Sequence, residues 1–576
     1  MWKKKQWQIL PEVDESVLIG LSNFSPIIAR LLANRGLVEE KSARAFLHLD
    51  DDFVAHDPFL FRDMAEACQL IINHIKSGHK IAIAGDYDAD GITSSAVMFD
   101  TLTILKGQAE VWIPSRLIDG YGLNRRLVKE IADSGAKLII TVDNGIRSSQ
   151  ELAYAKSLGL DLLVTDHHTV SLDSEALPDS LILNPIVEAE TYPWRYLAGV
   201  GVAYKLASAL ISMAKINDES KEILRRRVVD LVAIGTVADC VSLLDENRHL
   251  VREGLDELNR HPRPGISALV KVAQVKGRIN EWHIGWQIAP RLNVAGRLAH
   301  ANTAYELLVT RDEGRAMELA LQLNEQNQIR QAETERIVDY CQQVVESKLM
   351  DDNILVLTAP DIDDSSSEAW FEGVIGLVAG RLAERYHKPC LVICNSEGKL
   401  KGSGRSVADY SIIGALEESK QYLERFGGHR AACGFSIKDK ESLALFVTAV
   451  RQIGQRDLTK ELLAPKLRIE MVLELSQLTK DLAESLMVFS PFGQGNPMPI
   501  FASYGLVIRD CLTMGLEAQH IKFRIGTIWA ISFGGSQRWQ GFTIGDKVDL
   551  AYTIELNEFN GVKNVQIKIV DMVLNT

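Results

Sequence analysis

Apolar residues recur along this chain in two rhythms. Short apolar runs at residues 80–84, 138–142, 161–164 and 181–183 are bounded by glycine, aspartate or asparagine and read as buried strands. Between and after them, helical spacing covers 93–105, 148–158, 202–214 and 221–238. Strands alternating with helices predict an α/β domain, a parallel sheet with helices on both faces. Ahead of it, residues 27–36 have helical spacing and a glycine stop, so 1–70 is expected to be an N-terminal helical segment. A long helical pattern without proline runs from about 301 to 348 and is expected to connect two lobes. The run 354–357 opens a second α/β unit. From about 465 the rhythm changes to period two, at 520–525, 548–554 and 565–570, with glycines between. Short alternating strands of that kind predict a small barrel. The expected domains are therefore 1–70, 71–245 (parallel-sheet α/β), 246–349 (helical region and connector), 350–460 (second α/β lobe) and 461–576 (barrel).

Composition narrows the class. The chain has 576 residues, 46% hydrophobic and 24% charged, which suits several packed globular domains. No apolar run approaches the roughly 20 residues a membrane span requires. The basic Met1-Trp-Lys-Lys-Lys-Gln-Trp7 has no apolar stretch behind it, so no signal peptide is expected. Seven scattered cysteines without a CxxC pair read as reduced thiols in the cytoplasm. The net charge of −13 argues against a general nucleic-acid binder. Carboxylates gathered around bound cations would account for part of that charge, and phosphate binding needs only a local basic groove.

The candidate chemistry sits in four places. Gly85-Asp-Tyr-Asp-Ala-Asp-Gly91 follows the first strand and sets Asp86, Asp88 and Asp90 in one short loop. Asp143 ends the second strand, Asp166-His167-His168 ends the third, and Asp239 follows an apolar helix. Ligands of open α/β sheets bind beyond the carboxyl ends of the strands. Carboxylates gathered there repel one another unless a cation lies between them. Carboxylates with one or two imidazoles suit Mn²⁺ or Mg²⁺ better than zinc. Two such ions about 3.5–4 Å apart would activate a water and stabilise the leaving oxygen of a phosphodiester. Asp-x-Asp-x-Asp-Gly also opens calcium loops, but no glutamate holds the twelfth position and a buried strand precedes it.

These four motifs, in this order, resemble those of the DHH phosphoesterases. Further segments resemble the RecJ exonuclease branch of that superfamily. They are Pro114-Ser-Arg-Leu-Ile-Asp-Gly-Tyr-Gly-Leu123, Ile288-Ala-Pro-Arg-Leu-Asn-Val-Ala-Gly-Arg-Leu298, Glu372-Gly-Val-Ile-Gly-Leu-Val-Ala379, Gly402-Ser-Gly-Arg-Ser406 and Phe426-Gly-Gly-His429. Pro491-Phe-Gly-Gln-Gly-Asn-Pro497 and Asn557-Glu-Phe-Asn-Gly561 resemble that branch's terminal OB domain. One departure stands out: Phe371 precedes Glu372-Gly-Val where the family often has histidine.

The resemblance implies a single-stranded-DNA-specific exonuclease that works 5′ to 3′ and releases 5′-mononucleotides in DNA repair and recombination, with two divalent ions, Mn²⁺ or Mg²⁺. It implies metal ligation by Asp88, Asp90, Asp143, His167 and Asp239, with Asp143 bridging, and leaves Asp86 either a ligand or an orienting group. His168 is expected to contact phosphate or transfer a proton, and Asp166 to orient a histidine. Arg116, Tyr121, Arg291, Asn293 and Arg297 are candidate substrate contacts. Ser403, Arg405 and Ser406, read as a phosphate-cradling loop, and Gly427, Gly428 and His429 complete them. Barrel aromatics Phe492, Tyr504, Phe523, Trp529 and Trp539, beside Lys522, Arg524 and Arg538, are candidates for base stacking, with at least half of the rings expected in the core. The polar run 324–330 reads as a solvated helix face. A monomer is expected, bound to single-stranded DNA and assisted by a helicase and a single-strand-binding protein. The alternatives are an oligoribonuclease or cyclic-dinucleotide phosphodiesterase, and a non-catalytic DNA-binding scaffold.

Overall fold

The structure is a computed structural model that describes residues 5–47, 55–115, 122–170, 177–298, 301–360, 370–407, 409–559 and 562–575. The chain divides into two compact units, one of residues 50–330 with 491–497, the other of 1–49, 331–490 and 498–576.

The first unit is built on five parallel strands in the spatial order Gln108–Trp112, Lys80–Gly85, Ala136–Val142, Asp161–Thr165, Leu181–Leu183. Alternate side chains leave opposite faces, as strand geometry requires. Ile81, Ile83, Leu138, Ile140 and Val142 enter one core with the helices Ala89–Ile104, Gly199–Met213 and Asp218–Ala238. Ala82, Ala84, Ile139 and Val164 enter the other, beneath Arg125–Asp133 and Ser149–Ser157. Both faces are covered, so these strands carry apolar residues at almost every position. The expected elements appear, with ends shifted by a few residues. The edge strand Gln108–Trp112, with Gln108 exposed and the rest only partly buried, lacks the apolar run that marks the others. The long helical pattern is broken at 310–312: Asn302–Val309 ends there and Glu313–Val344 begins as a separate helix.

The second unit holds two larger sheets. In one, the strands run Leu423–His429, Ala432–Ile437, Lys399–Arg405, Cys390–Ser396, Leu355–Thr358, with only the last pair parallel. In the other, Phe501–Met514 pairs with both His520–Ile525 and Lys547–Phe559. With Ile528–Ser532 and Val562–Leu574 these strands close a five-stranded ring, an OB-type barrel. The N-terminal region is not wholly helical: Gln6–Ile9 is a strand pairing in parallel with Lys466–Ile469, and the Trp7 indole donates to Asp571 at 2.9 Å. No helix among the described residues is long and apolar enough to cross a membrane, and their seven cysteines are unbridged.

Candidate active site

The strand Lys80–Gly85 delivers the chain into the aspartate loop. Asp88 caps the helix that follows: its Oδ1 accepts the amides of Asp90 at 3.0 Å and Gly91 at 3.1 Å. Gly91 is required by close approach, since a Cβ there would lie 2.5 Å from the Asp86 carbonyl oxygen. Asp90 is buried, and its two oxygens accept the amides of Gly199 at 2.7 Å and Val200 at 2.8 Å. Those are otherwise orphaned amides in the first turn of Gly199–Met213, whose dipole favours the negative charge.

Asp143 follows the strand Ala136–Val142 in the left-handed region, at φ +62°. A non-glycine residue seldom adopts that conformation unless its surroundings enforce it. The fit around it is tight: a Cβ on Gly199 would lie 2.5 Å from Asp143 Oδ1. Asp166 follows the strand Asp161–Thr165 and is saturated. Its Oδ1 accepts the amides of His167 and His168 at 2.7 and 3.0 Å, and its Oδ2 the Ile146 amide at 2.9 Å. The same Oδ1 lies 2.8 Å from His168 Nδ1. The four predicted motifs therefore converge. Asp143 with His167 and His168, Asp90 with His167 and Asp239, and Asp86 with Asp88 and Asp143 each bring three ligand atoms within 4.8 Å of one another. Asp143 and His167 each belong to two of these groups, and His167 Nε2 lies 3.2 Å from Asp143 Oδ1.

The electrostatics fit a cation. Burial first, then the charges of Asp90, Asp88, Asp86 and Asp239, holds the Asp143 carboxyl well above its usual range. Asp90 is pushed up to about 7 by burial and Asp88, and Asp239 to about 9 by burial, Asp90 and Asp88. His167 is lowered to about 4 by burial and the neighbouring His168, which leaves a neutral imidazole with a lone pair to offer. Its buried Nε2 has no hydrogen-bond partner, while the ring hydrogen-bonds the Leu197 backbone. A ligating histidine is commonly held in this way, by a backbone group on its other nitrogen. His168 differs: despite burial, the Asp166 carboxylate raises it, and burial of Asp166 is outweighed by its bonds to His168. Beside this pair lies a cavity of about 210 Å³ lined by Gly145, Arg147, Ser148 and His168 among others.

The candidate substrate contacts fare differently. Arg116 and Tyr121 lie outside the described residues, as does the Arg297 side chain. Asn293 Oδ1 accepts the Ala89 amide at 2.7 Å, so this side chain positions the aspartate loop. Arg291 is engaged by Asn324 and the Gln287 carbonyl. The supposed solvated face at 324–330 includes Asn327, which is fully buried. In the second unit, Ser403 and Arg405 do not form a loop: they belong to the strand Lys399–Arg405. Its glycines serve packing, because a Cβ on Gly402 would lie 2.1 Å from the Phe435 ring and one on Gly404 2.5 Å from Cys433 Sγ. Gly427, Gly428 and His429 lie on the strand Leu423–His429, where they are exposed. Ser406 donates to the Tyr410 carbonyl, and Arg405 to the Gly404 carbonyl and to Ser403. Phe371 packs against an apolar core.

Among the barrel aromatics, Phe523 and Trp539 are core, Tyr504 is 46% exposed, and Trp529 carries Lys522 Nζ 4.4 Å from its ring centre. Arg538 is committed to Asp571 at 2.7 Å, while Arg524 is exposed. Phe492 is not a barrel residue. Its segment packs into the first unit, where its amide donates to Glu281 and the Leu243 amide to the Gln494 carbonyl. The sequence reading missed the Gly199 and Val200 amides and the role of Asn144, whose Nδ2 ties the carbonyls of Ala84 and Val142.

Comparison with known proteins agrees with this geometry. The chain matches the DHH family N-terminal domain over residues 80–236, the DHHA1 domain over 351–455 and the RecJ OB domain over 469–571. It is 36% identical to the single-stranded-DNA-specific exonuclease RecJ of Bacillus subtilis (strain 168), covering 99% of this chain and 71% of the relative. It is 31% identical to the Escherichia coli (strain K12) protein of the same name, covering 97% of each. Among solved structures it resembles RecJ from Thermus thermophilus in complex with Mn²⁺, with a TM-score of 0.83 and 26% identity over 99% of this chain and 80% of that one. With the DHH motifs gathered at one sheet edge and these relatives spanning nearly its whole length, the chain belongs to the RecJ family of single-stranded-DNA-specific exonucleases.

Proposed function

We propose that this protein is a metal-dependent exonuclease that hydrolyses single-stranded DNA from the 5′ end to 5′-mononucleotides, in the cytoplasm, during repair and recombination. One observation carries the reading: Asp86, Asp88, Asp90, Asp143, Asp239 and His167 converge with the Asp166–His168 pair at one buried site. Asp88, Asp90, Asp143, His167 and Asp239 would hold two divalent ions, with Asp86 beside Asp88 and Asp143. Bound there, such ions supply a water of lowered pKa and neutralise charge on the scissile phosphate.

The chain's own groups do the rest. Gly199 and Val200 fix Asp90 through both oxygens, so it enters the site already oriented. Asp166 holds His168 by Nδ1, so Nε2 is the atom that would meet a phosphate oxygen or hand a proton to the leaving group. In the barrel, exposed Tyr504 and the Lys522–Trp529 pair suit stacked bases and a phosphate backbone. Family membership extends the proposal to a monomer supplied with single strands by a helicase and a single-strand-binding protein.

The test is Mn²⁺-dependent digestion of single-stranded DNA labelled at either end, beside Asp143→Ala. Stepwise release of a 5′ label as mononucleotide, abolished by the substitution, is expected. Binding without cleavage would replace the enzyme by a scaffold, and cleavage of short oligonucleotides alone would point to an oligoribonuclease.

A further inference from the structure

A second cavity, of about 570 Å³, opens in the first unit away from the acidic cluster. Asp100 lines it, on the helix that begins at Asp90's turn, and Asp230 lines it on the helix that ends at Asp239. At 1.5 Å per residue those helices separate the cavity from the metal ligands by roughly 13–15 Å. Neither aspartate is a free charge: Arg263 binds Asp100 and Asp230, each at 2.8 Å. Arg226 is paired with Glu222 at 2.9 Å, and Glu257, also in the lining, stands 3.3 Å from His261 Nδ1.

What remains is cationic. Arg227, Arg260 and Arg311 converge on the cavity from three separate segments, and their side chains make no ion pair or hydrogen bond with any described residue. Three unpaired guanidiniums around one cavity, in a chain of net charge −13, call for an anion of more than one charge. Ile223, Pro264, Leu308 and Val309 give the same cavity an apolar wall. A volume of this order, with an apolar wall and a few convergent polar groups, is that of a small-molecule site.

We propose that this cavity binds a nucleoside polyphosphate, with its phosphates on Arg227, Arg260 and Arg311 and its base against Ile223, Leu308 and Val309. The site is independent of the exonuclease reading, because none of the candidate metal ligands lines it.

The test is calorimetric titration of the full chain with ATP in excess chelator, so that the acidic cluster, bare of cations, repels the probe. Saturable binding is expected. It should weaken at least about tenfold in Arg227→Glu/Arg260→Glu, with thermal unfolding and DNA digestion unchanged. Adenosine should not bind, and tripolyphosphate should bind more weakly than ATP. Absence of binding by the unmodified chain at millimolar ATP, or equal affinity in the double variant, overturns the site. Tripolyphosphate binding as tightly as ATP overturns the nucleoside part of the proposal. Should the double variant not fold, exposed Arg311→Gln gives the same reading, with weakened ATP binding expected and unchanged affinity overturning it.

Discussion

Replacing Asp239 by asparagine should make the metal-free protein more stable while removing its response to Mn²⁺. Asp239 sits at the C-terminal end of the helix Asp218–Ala238, where a negative charge opposes the helix dipole. Burial and the charges of Asp90 and Asp88 push its carboxyl up to about 9. A carboxyl raised in the folded state contributes stability that is complete below its unfolded pKa and lost as pH rises toward the folded value. Each pH unit in that window costs about 1.4 kcal/mol, so the interval from pH 5 to pH 8 costs at most about 4 kcal/mol. Asp143, which the Asp239 charge helps to raise, shares the relief when that charge is removed, so a gain of about 2–4 kcal/mol is expected at pH 8. In a unit of this size that is on the order of 5–10 °C in melting temperature. The assay is thermal unfolding in chelator and in Mn²⁺, at pH 5 and pH 8. In chelator the variant should melt higher than the unmodified protein, with the gap mostly closed at pH 5. In Mn²⁺ the unmodified protein should gain about 2.7 kcal/mol at a hundredfold excess over Kd, and the variant little. A variant no more stable in chelator at pH 8, or one keeping the full Mn²⁺ shift, would refute the account of this site as strained carboxylates awaiting a cation.

Three further outcomes are expected. Gly199→Ala places a Cβ against Asp143 Oδ1, so Mn²⁺-dependent digestion should fall at least about a hundredfold while circular dichroism stays unchanged. Asp166→Asn removes the charge that raises and orients His168, so kcat should drop about 10²–10⁴-fold while calorimetric Mn²⁺ binding is largely kept. Arg263→Ala strands two buried carboxylates, so chemical denaturation should reveal a loss of about 3–5 kcal/mol, far more than a surface arginine would give.

Much of the catalytic unit was legible in the chain. Strands 80–85, 136–142 and 161–165 announce themselves because both sheet faces are buried, so nearly every position must be apolar. The chemistry follows directly: Asp86, Asp143 and Asp166 stand immediately after those strands, and connectivity alone puts them on one edge. Where no such repetition exists, the reading failed. Gly402-Ser-Gly-Arg-Ser406 has the composition of a phosphate loop, yet it is mostly strand because the facing Phe435 ring requires glycine for space rather than for a turn. Gln6–Ile9 carries no strand signal of its own and becomes one by pairing with residues some 460 positions away.

The sequence by itself determined the order of elements, the edge on which the carboxylates gather and the residue types that suit a divalent cation. Those are consequences of local periodicity and short connections, which a linear reading can see. The tertiary structure decided which groups orient those carboxylates. The Gly199 and Val200 amides grip Asp90, Leu197 meets His167, Asn293 holds the aspartate loop, and Arg263 joins two ligand-bearing helices about three turns from the ligands. A hydrogen bond requires only that a donor arrive within about 3 Å of an acceptor, and a donor brought from a hundred residues away leaves no periodic mark in the sequence.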